Sequence, residues 1–315
     1  MLIGWLCLLS CVVASTMIWP VARWGLHANG HVRVMGIWTC VTSAVICAAA
    51  LSFQFGVRGV GGFAGSHPDI LVAGGVLAVA YAVGFYILIM RCLQTGPAGP
   101  TVTVNNSAMI CGVLFGVLWL KPSMHTPWVV EWPNPWIIFG AAGTLAAMVM
   151  VGLGKNKQDP EALVPKAPVT TQWKIFLMLG GAFSGMSFMT QAYVGTFHPE
   201  ANFGFLFAGF GFGLAGVILL VTMASRLRRI LSWRELLGGA GVGVLNTISI
   251  PLSMKAYSCF PAEIVLPVTV VTPIAFNLLI ARVLWRERLS RVVWSGCLLA
   301  MIAVAAIAYG SGKMD

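Results

Sequence analysis

The sequence contains very little charge. Of its 315 residues only 9% are Asp, Glu, Lys or Arg, whereas 58% are hydrophobic. A soluble protein of this length carries a charged residue at about a quarter of its positions. The composition therefore excludes a soluble globular protein and predicts an integral membrane protein.

Ionisable side chains are absent from the middle of every long apolar run and occur only near the ends, for example at Asp69, Glu200 and Glu263. Ion-driven carriers often hold such a side chain at membrane depth. Glu263, at the start of the ninth apolar run, is the candidate for binding a coupling ion. The alternative is that its carboxylate complements the positive end of its own helix.

Metal-binding and disulfide motifs are also missing. The eight cysteines include no C-x-x-C pair, and the five histidines all fall between apolar runs. We interpret the cysteines as small apolar side chains and expect neither metal nor cofactor. The only histidine–carboxylate pairs that could serve a membrane enzyme are His67 with Asp69 and His198 with Glu200, so we expect no enzyme.

Ten apolar runs are long enough to cross a bilayer, which takes roughly 17 to 25 residues. The runs are continuously apolar rather than alternating, which favours helices over membrane strands and predicts an all-α integral membrane protein. They cover residues 2–22, 34–54, 70–90, 99–120, 136–154, 174–195, 203–224, 235–254, 262–283 and 291–310.

A polar linker at 155–173 divides the ten runs into five and five, giving a first unit at 1–154 and a second at 174–315. Because five is odd, the second unit enters the membrane from the opposite side, as in inverted repeats. Two stretches support a duplication: Arg91–Leu120 and Lys255–Leu284 each place a Pro-Ala pair ahead of a long apolar run.

The basic residues predict the orientation. The connections after the odd-numbered runs hold fifteen of the 19 Lys and Arg residues. Lys and Arg are enriched on the cytoplasmic side of membrane proteins. We therefore expect both termini outside the cytoplasm and a location in a cell inner membrane. The net charge of +10 then marks a membrane face and not a nucleic-acid partner.

The polar groups inside the apolar runs are uncharged. Amides and hydroxyls at this depth can replace the water of a neutral or zwitterionic solute, and aromatic rings can complete a pocket. The alternative is that they hydrogen-bond neighbouring helices. The candidates for substrate binding are Asn105, Asn106, Ser187, Gln191, Asn246, Thr269, Thr272, Tyr81, Tyr86 and Trp19.

Two short segments carry a resemblance to a known family. LWRERLS at 284–290, followed by Trp294-Ser295-Gly296 and a small-residue run, resembles the end of the EamA-type repeat of the drug/metabolite transporter superfamily. Arg286 stands where that repeat usually has glycine. GAFSGMSF at 181–188, with PVARW after the first run, is similar to the L-rhamnose–proton symporter branch.

The resemblance implies alternating access about a central cavity lined by the first, third, fourth, sixth, eighth and ninth helices, with the fifth and tenth at the periphery. It implies a secondary active or facilitative transporter of a small polar organic metabolite, with a sugar favoured. Export of amino acids or drug-like metabolites is the alternative, and a membrane enzyme or a non-transporting receptor is the alternative from another class. A proton or other coupling ion, membrane lipid and a monomeric or homodimeric state are the further expectations.

Overall fold

The computed structural model describes most of the chain, with the main gap between residues 97 and 134. Some side chains of the last helices also fall outside the description, Glu263 among them. The described residues are 2–26, 31–96, 101–102, 105–106, 108, 111–112, 115, 135–153, 157–158, 170–223, 232–260, 262–284, 287–288 and 290–311.

The described chain is almost entirely helical. A π-helical segment, Ala80–Ile89, joins α3 to α4 without a break, so that one continuous helix runs from residue 68 to 95. The helices are α1 Leu2–Gly25, α2 Val32–Gly65, α3 Pro68–Val79, α4 Met90–Thr95, α5 Pro135–Leu153, α6 Thr171–Phe197, α7 Ala201–Thr222, α8 Trp233–Tyr257, α9 Ala262–Leu284 and α10 Arg291–Ser311.

Within the described residues, six helices are long and apolar enough to cross a membrane: α1, α2, the continuous helix over 68–95, α6, α7 and α8. The chain is thus an all-helical protein of the multi-pass membrane type. Nine of the ten predicted runs overlap an observed helix. The remaining run, 99–120, lies mostly outside the described residues.

The helix that corresponds to the sixth predicted run begins earlier than that run. Helix α6 starts at Thr171 instead of 174, because the hydroxyl of Thr170 accepts a hydrogen bond from the backbone N–H of Trp173 at 3.1 Å. A threonine in this position satisfies one of the unpaired N–H groups at a helix start. Most of the predicted linker, residues 159–169, lies outside the described residues.

Helix α2 is longer than a bilayer is thick. Its 34 residues would span about 51 Å at 1.5 Å per residue, against a hydrocarbon core of about 30 Å. The backbone leaves the helical conformation at Gly56, where φ is +70°. Glycine adopts this left-handed region without a Cβ clash. The kink lies two residues beyond the predicted end of the second apolar run, at residue 54.

Two short strands are the exception to the helical fold. Lys157–Gln158 pairs antiparallel with Glu287–Arg288, so that Lys157 lies opposite Arg288 and Gln158 opposite Glu287. The pair links the segment that follows α5 to the turn between α9 and α10. Since α5 and α10 also pack against each other, the two helices are held together along their length and at one end.

At one side of the bundle, the start of α2 meets the start of α8 and the end of α7. The backbone N–H of His31, before α2, donates to Glu235 of α8 at 2.9 Å. The guanidinium of Arg33 donates to the carbonyl oxygen of Thr222, at the end of α7, at 3.2 Å. Glu235 is buried, so its carboxylate is part of this contact between elements distant in sequence.

The other helix ends meet at the opposite side. Trp5 near the start of α1 packs on Phe260 after α8, with ring centroids 4.8 Å apart. Trp136 at the start of α5 packs on Tyr309 near the end of α10, at 5.3 Å. These contacts agree with a chain that crosses the bundle once per helix.

Glycines bring the helices close enough for backbone contact. A Cβ on Gly239 of α8 would lie 2.5 Å from the carbonyl oxygen of Met35 in α2, and one on Gly243 would lie 2.7 Å from that of Thr39. Small residues at such interfaces are typical of membrane helices, whose association depends on close packing.

Candidate functional site

A cavity lies at the centre of the bundle. Its lining residues Ser15, Tyr81, Ser187 and Asn246 are each near the midpoint of their helix. About 110 Å³ is available to the centres of water molecules, enough for several waters. The lining residues are Ser15, Ile18, Trp19, Ala80, Tyr81, Phe85, Asn105, Asn106, Ser184, Ser187, Phe188, Gln191, Asn246, Ser249, Ile250, Thr269 and Pro273.

Eight of the ten candidate residues from the sequence line this one cavity. They come from elements on both sides of the linker, and their side chains end in amides, hydroxyls or aromatic rings. They are Trp19, Tyr81, Asn105, Asn106, Ser187, Gln191, Asn246 and Thr269.

Asn105 is tied to helix α6. The hydroxyl of Ser184 donates to Asn105 Oδ1 at 2.6 Å, and Asn105 Nδ2 donates to Asn106 Oδ1 at 3.2 Å. All three side chains are buried. The Asn105 amide therefore joins the fourth predicted run to α6 and orients Asn106 at the cavity wall.

Gln191 and Thr269 are held by bonds within their own helices. Gln191 Nε2 donates to Ser187 Oγ at 3.2 Å, one turn earlier on the same face of α6. The Thr269 hydroxyl donates to the carbonyl oxygen of Val265 at 2.8 Å. The amide oxygen of Gln191 carries lone pairs that can accept hydrogen bonds beyond this donation.

Asn246 is different, because its amide nitrogen has no hydrogen-bond partner in the described part of the chain. The side chain is only 2% exposed. A buried amide without a partner costs free energy. Asn246 also lines the cavity, so a solute or water that reaches this nitrogen would satisfy the donor.

Aromatic rings form one side of the cavity. Phe85 lies between Trp19, with ring centroids 5.6 Å apart, and Tyr81, at 5.3 Å. Tyr81 and Phe85 both come from the π-helical segment. Such segments are rare and occur often at functional sites; nothing in AYAVGFYILI had indicated one.

Tyr86 and Thr272 do not line the cavity. Tyr86 is fully buried on another side of its helix, where its ring lies under Gly36 of α2. Thr272 is replaced at the wall by the next residue, Pro273. Both residues were candidates because they lie well inside apolar runs, but position in a run does not indicate which face of the helix a side chain occupies. The side chain of Glu263 lies outside the described residues, so its coupling role stays a prediction.

Several lining residues were not among the candidates. Ser15, Ser184 and Ser249 lie in the same helices as the candidates, and Ser184 shares a helix face with Ser187 and Gln191. That spacing of three and seven residues was a usable signal for Ser184. No comparable signal marks Phe85 and Phe188 as lining residues, because aromatic residues occur throughout these helices.

The fold and the site define a helical protein of the multi-pass membrane type with a central cavity whose described lining is polar and uncharged. No family model matches the sequence, and no curated protein does. A solved structure, described only as "Crystal structure of protein", is similar in fold with a TM-score of 0.60 at 14% identity. The similarity covers 99% of this chain and 98% of that one. At this identity the match establishes a shared fold over the whole chain and nothing about activity.

Proposed function

We propose that this protein is a secondary active or facilitative transporter of a small polar organic metabolite. The observation that carries the proposal is the central cavity, whose amides and hydroxyls come from both sides of the linker. A site shared by two halves of a membrane bundle can be exposed to either side in turn when the halves rock against each other.

The proposed architecture is ten transmembrane helices in two inverted five-helix repeats. The packing supports it, because several described helix pairs have an equivalent pair when the halves are exchanged. Helix α1 packs on α8 as α6 packs on the continuous helix that contains α3, and α2 packs on α8 as α7 packs on α3. The pairs α2 with α7 and α5 with α10 map onto themselves.

A sugar-like solute fits the lining best. Sugar hydroxyls both donate and accept hydrogen bonds, as the asparagine, glutamine and serine side chains of the cavity do. Tyr81, Phe85 and Trp19 offer apolar faces for a ring. An amino acid would bring an ammonium and a carboxylate, and the lining residues that the structure describes include no charged side chain to pair with either. Export of amino acids or drug-like metabolites is therefore the second candidate.

An enzyme is less well supported, because within the described part of the chain the cavity lining holds no Cys, His, Asp or Glu that could activate a serine. A receptor would bind solute in the same cavity without moving it. Solute exchange across a bilayer separates a receptor from a transporter.

We further propose a cell inner membrane with both termini extracytoplasmic. This orientation requires successive helices to cross the membrane in alternating directions. The contacts between helix ends at the two sides of the bundle support such a path. In that orientation the strand pair and Glu235 are cytoplasmic, and Trp136 and Tyr309 lie near the outer face.

The experiment begins with a thermal-shift screen of the purified protein against sugars, amino acids, nucleosides and quaternary amines. Each stabilising solute is then tested for counterflow in proteoliposomes. We expect a neutral polyhydroxylated solute to exchange. A set of stabilising solutes of which none exchanges across the bilayer would contradict the transporter proposal and favour a receptor.

Asn106→Ala serves as the site variant in the same assay. It removes a lining amide whose oxygen is bonded only to the neighbouring Asn105 among the described residues. We expect weaker solute binding with unchanged membrane insertion. An unchanged uptake constant would remove Asn106 from the site.

A further inference from the structure

A second polar cluster lies away from the cavity, where the start of α3 meets the end of α6. Asp69 Oδ2 and His198 Nε2 are 2.7 Å apart. The hydroxyl of Tyr193 donates to the same Asp69 oxygen at 3.3 Å. Asp69 belongs to the first half of the chain, whereas Tyr193 and His198 belong to the second.

The pair is partly shielded by aromatic rings but open to water. The side chains of His198 and Asp69 are 21% and 36% exposed. The ring of Phe203 packs against His198 and against His67, with ring centroids 4.9 Å apart in both cases. A proton from the adjoining solution therefore has access to a pair held in fixed geometry.

The titratable groups around His198 lie at the start of α3, near the end of α6 and at the start of α7. Asp69 and Tyr193 contact it or its partner directly. His67, before α3, faces the His198 ring edge-on at 5.8 Å. Glu200 lies two residues further along, at the start of α7, and is exposed. His67 Nδ1 lies 3.0 Å from the carbonyl oxygen of Phe63, which fixes its ring within its own half.

We propose that His198 and Asp69 form the proton-binding site that couples the two halves. The inference rests on the proposed function and adds the coupling ion and its place. In the unloaded state Nε2–H of neutral His198 donates to the Asp69 carboxylate, and the pair carries one negative charge. One proton from the outer solution then binds at Nδ1, the pair becomes an imidazolium–carboxylate ion pair, and its net charge becomes zero. Release of that proton restores the first state.

Proton binding strengthens the contact between the halves. The carboxylate is charged in both states, so protonation adds the Coulomb attraction between an imidazolium and a carboxylate whose atoms lie 2.7 Å apart. Histidine is the side chain that changes charge between about pH 5 and 8. The start of α3 is therefore held more tightly to the end of α6 in acid. In the proposed orientation this end faces the outside, so acid favours closure of the outer ends.

The test needs no solute. Spin labels are placed at Gly62 of the first half and Ser258 of the second, both exposed positions at this end of the bundle. Cys7, Cys111, Cys259 and Cys297 are replaced by serine. Distances between the labels are measured by pulsed electron resonance in nanodiscs at pH 5.5 and pH 8. In parallel, nitrogen-15 spectra of histidine-labelled protein record the protonation of His198, assigned with His198→Gln.

We expect the distance distribution to become shorter and narrower at pH 5.5, and His198 to gain a proton across the same range. The distance response should be lost in Asp69→Asn and in His198→Gln. Glu200→Gln is the matched control, since it removes a nearby carboxylate that lies outside the pair, and it should keep the full response.

Three outcomes overturn the proposal: a wild-type distribution that does not change with pH, a response that survives His198→Gln, or a response that is lost in His67→Gln, which would assign the proton to the neighbouring ring. This experiment does not measure solute counterflow. A negative result would therefore contradict the proton site without bearing on the proposed role of the cavity. A pH response without solute exchange would instead contradict the transporter and keep the proton site.

Discussion

At the residue scale, the buried amides of the cavity have two different roles: one connects helices, and the other can bind a solute. Asn105 bonds to Ser184 and Asn106, and so it connects two helices. Asn246 has an amide nitrogen without a partner in the described chain, and so it is available to a solute. The same residue type thus serves structure at one position and binding at the other, as the two interpretations of the sequence had allowed.

Asn105→Ala and Asn246→Ala should therefore separate stability from binding. Asn105→Ala leaves a buried hydroxyl and amide without their partner, which costs roughly 1–3 kcal/mol, and we expect a lower melting temperature. Asn246→Ala removes an unpaired donor, so stability should hardly change while solute affinity falls about two- to tenfold. Thermal unfolding and solute titration of both variants check this. Equal loss of stability in the two would contradict the division of roles.

At the element scale, the π-helical segment determines which side chains the third span presents. It brings Tyr81 and Phe85 to the cavity and turns Tyr86 toward α2. The segment is held from the other side by α6, because Gly84 packs directly on Phe183. The contact leaves no room for a methyl group.

Gly84→Ala should therefore push α6 away from the third span. Its Cβ would meet the Cβ of Phe183, and overpacking of this kind costs about 1–3 kcal/mol. Gly75→Ala, in the same continuous helix with open space around it, is the matched control and should be neutral. Detergent-solubilised yield and melting temperature measure both. A neutral Gly84→Ala would show that α6 and the third span are less closely packed.

At the scale of the whole molecule, the orientation has a direct check. A tag after α10 should be accessible to a membrane-impermeant reagent from outside intact cells, and a tag within the linker near residue 160 should not. The basic residues of the odd-numbered connections are the physical reason, since they are retained on the cytoplasmic side. The reverse labelling pattern would invert the proposed topology and move His198 to the cytoplasmic face.

The sequence predicted the positions of the spans because the bilayer imposes a length and a composition that can be counted. It also singled out Asn246 and Gln191, and both line the cavity. It did not resolve the facing of Tyr86, which depends on the π-helical segment. It did not predict the contact between Asp69 and His198, which are 129 positions apart. Such a contact depends on how the helices pack, and no local sequence pattern encodes that.

The strand pair between Lys157–Gln158 and Glu287–Arg288 has a mechanical consequence. Each half of the chain contributes one helix, α5 or α10, to a pair that is packed lengthwise and pinned by backbone hydrogen bonds at one end. The halves cannot slide apart along this seam without breaking both. In the proposed transporter, a motion of the halves that kept both contacts would be a pivot about this helix pair, and a small rotation there would displace the most distant helices furthest.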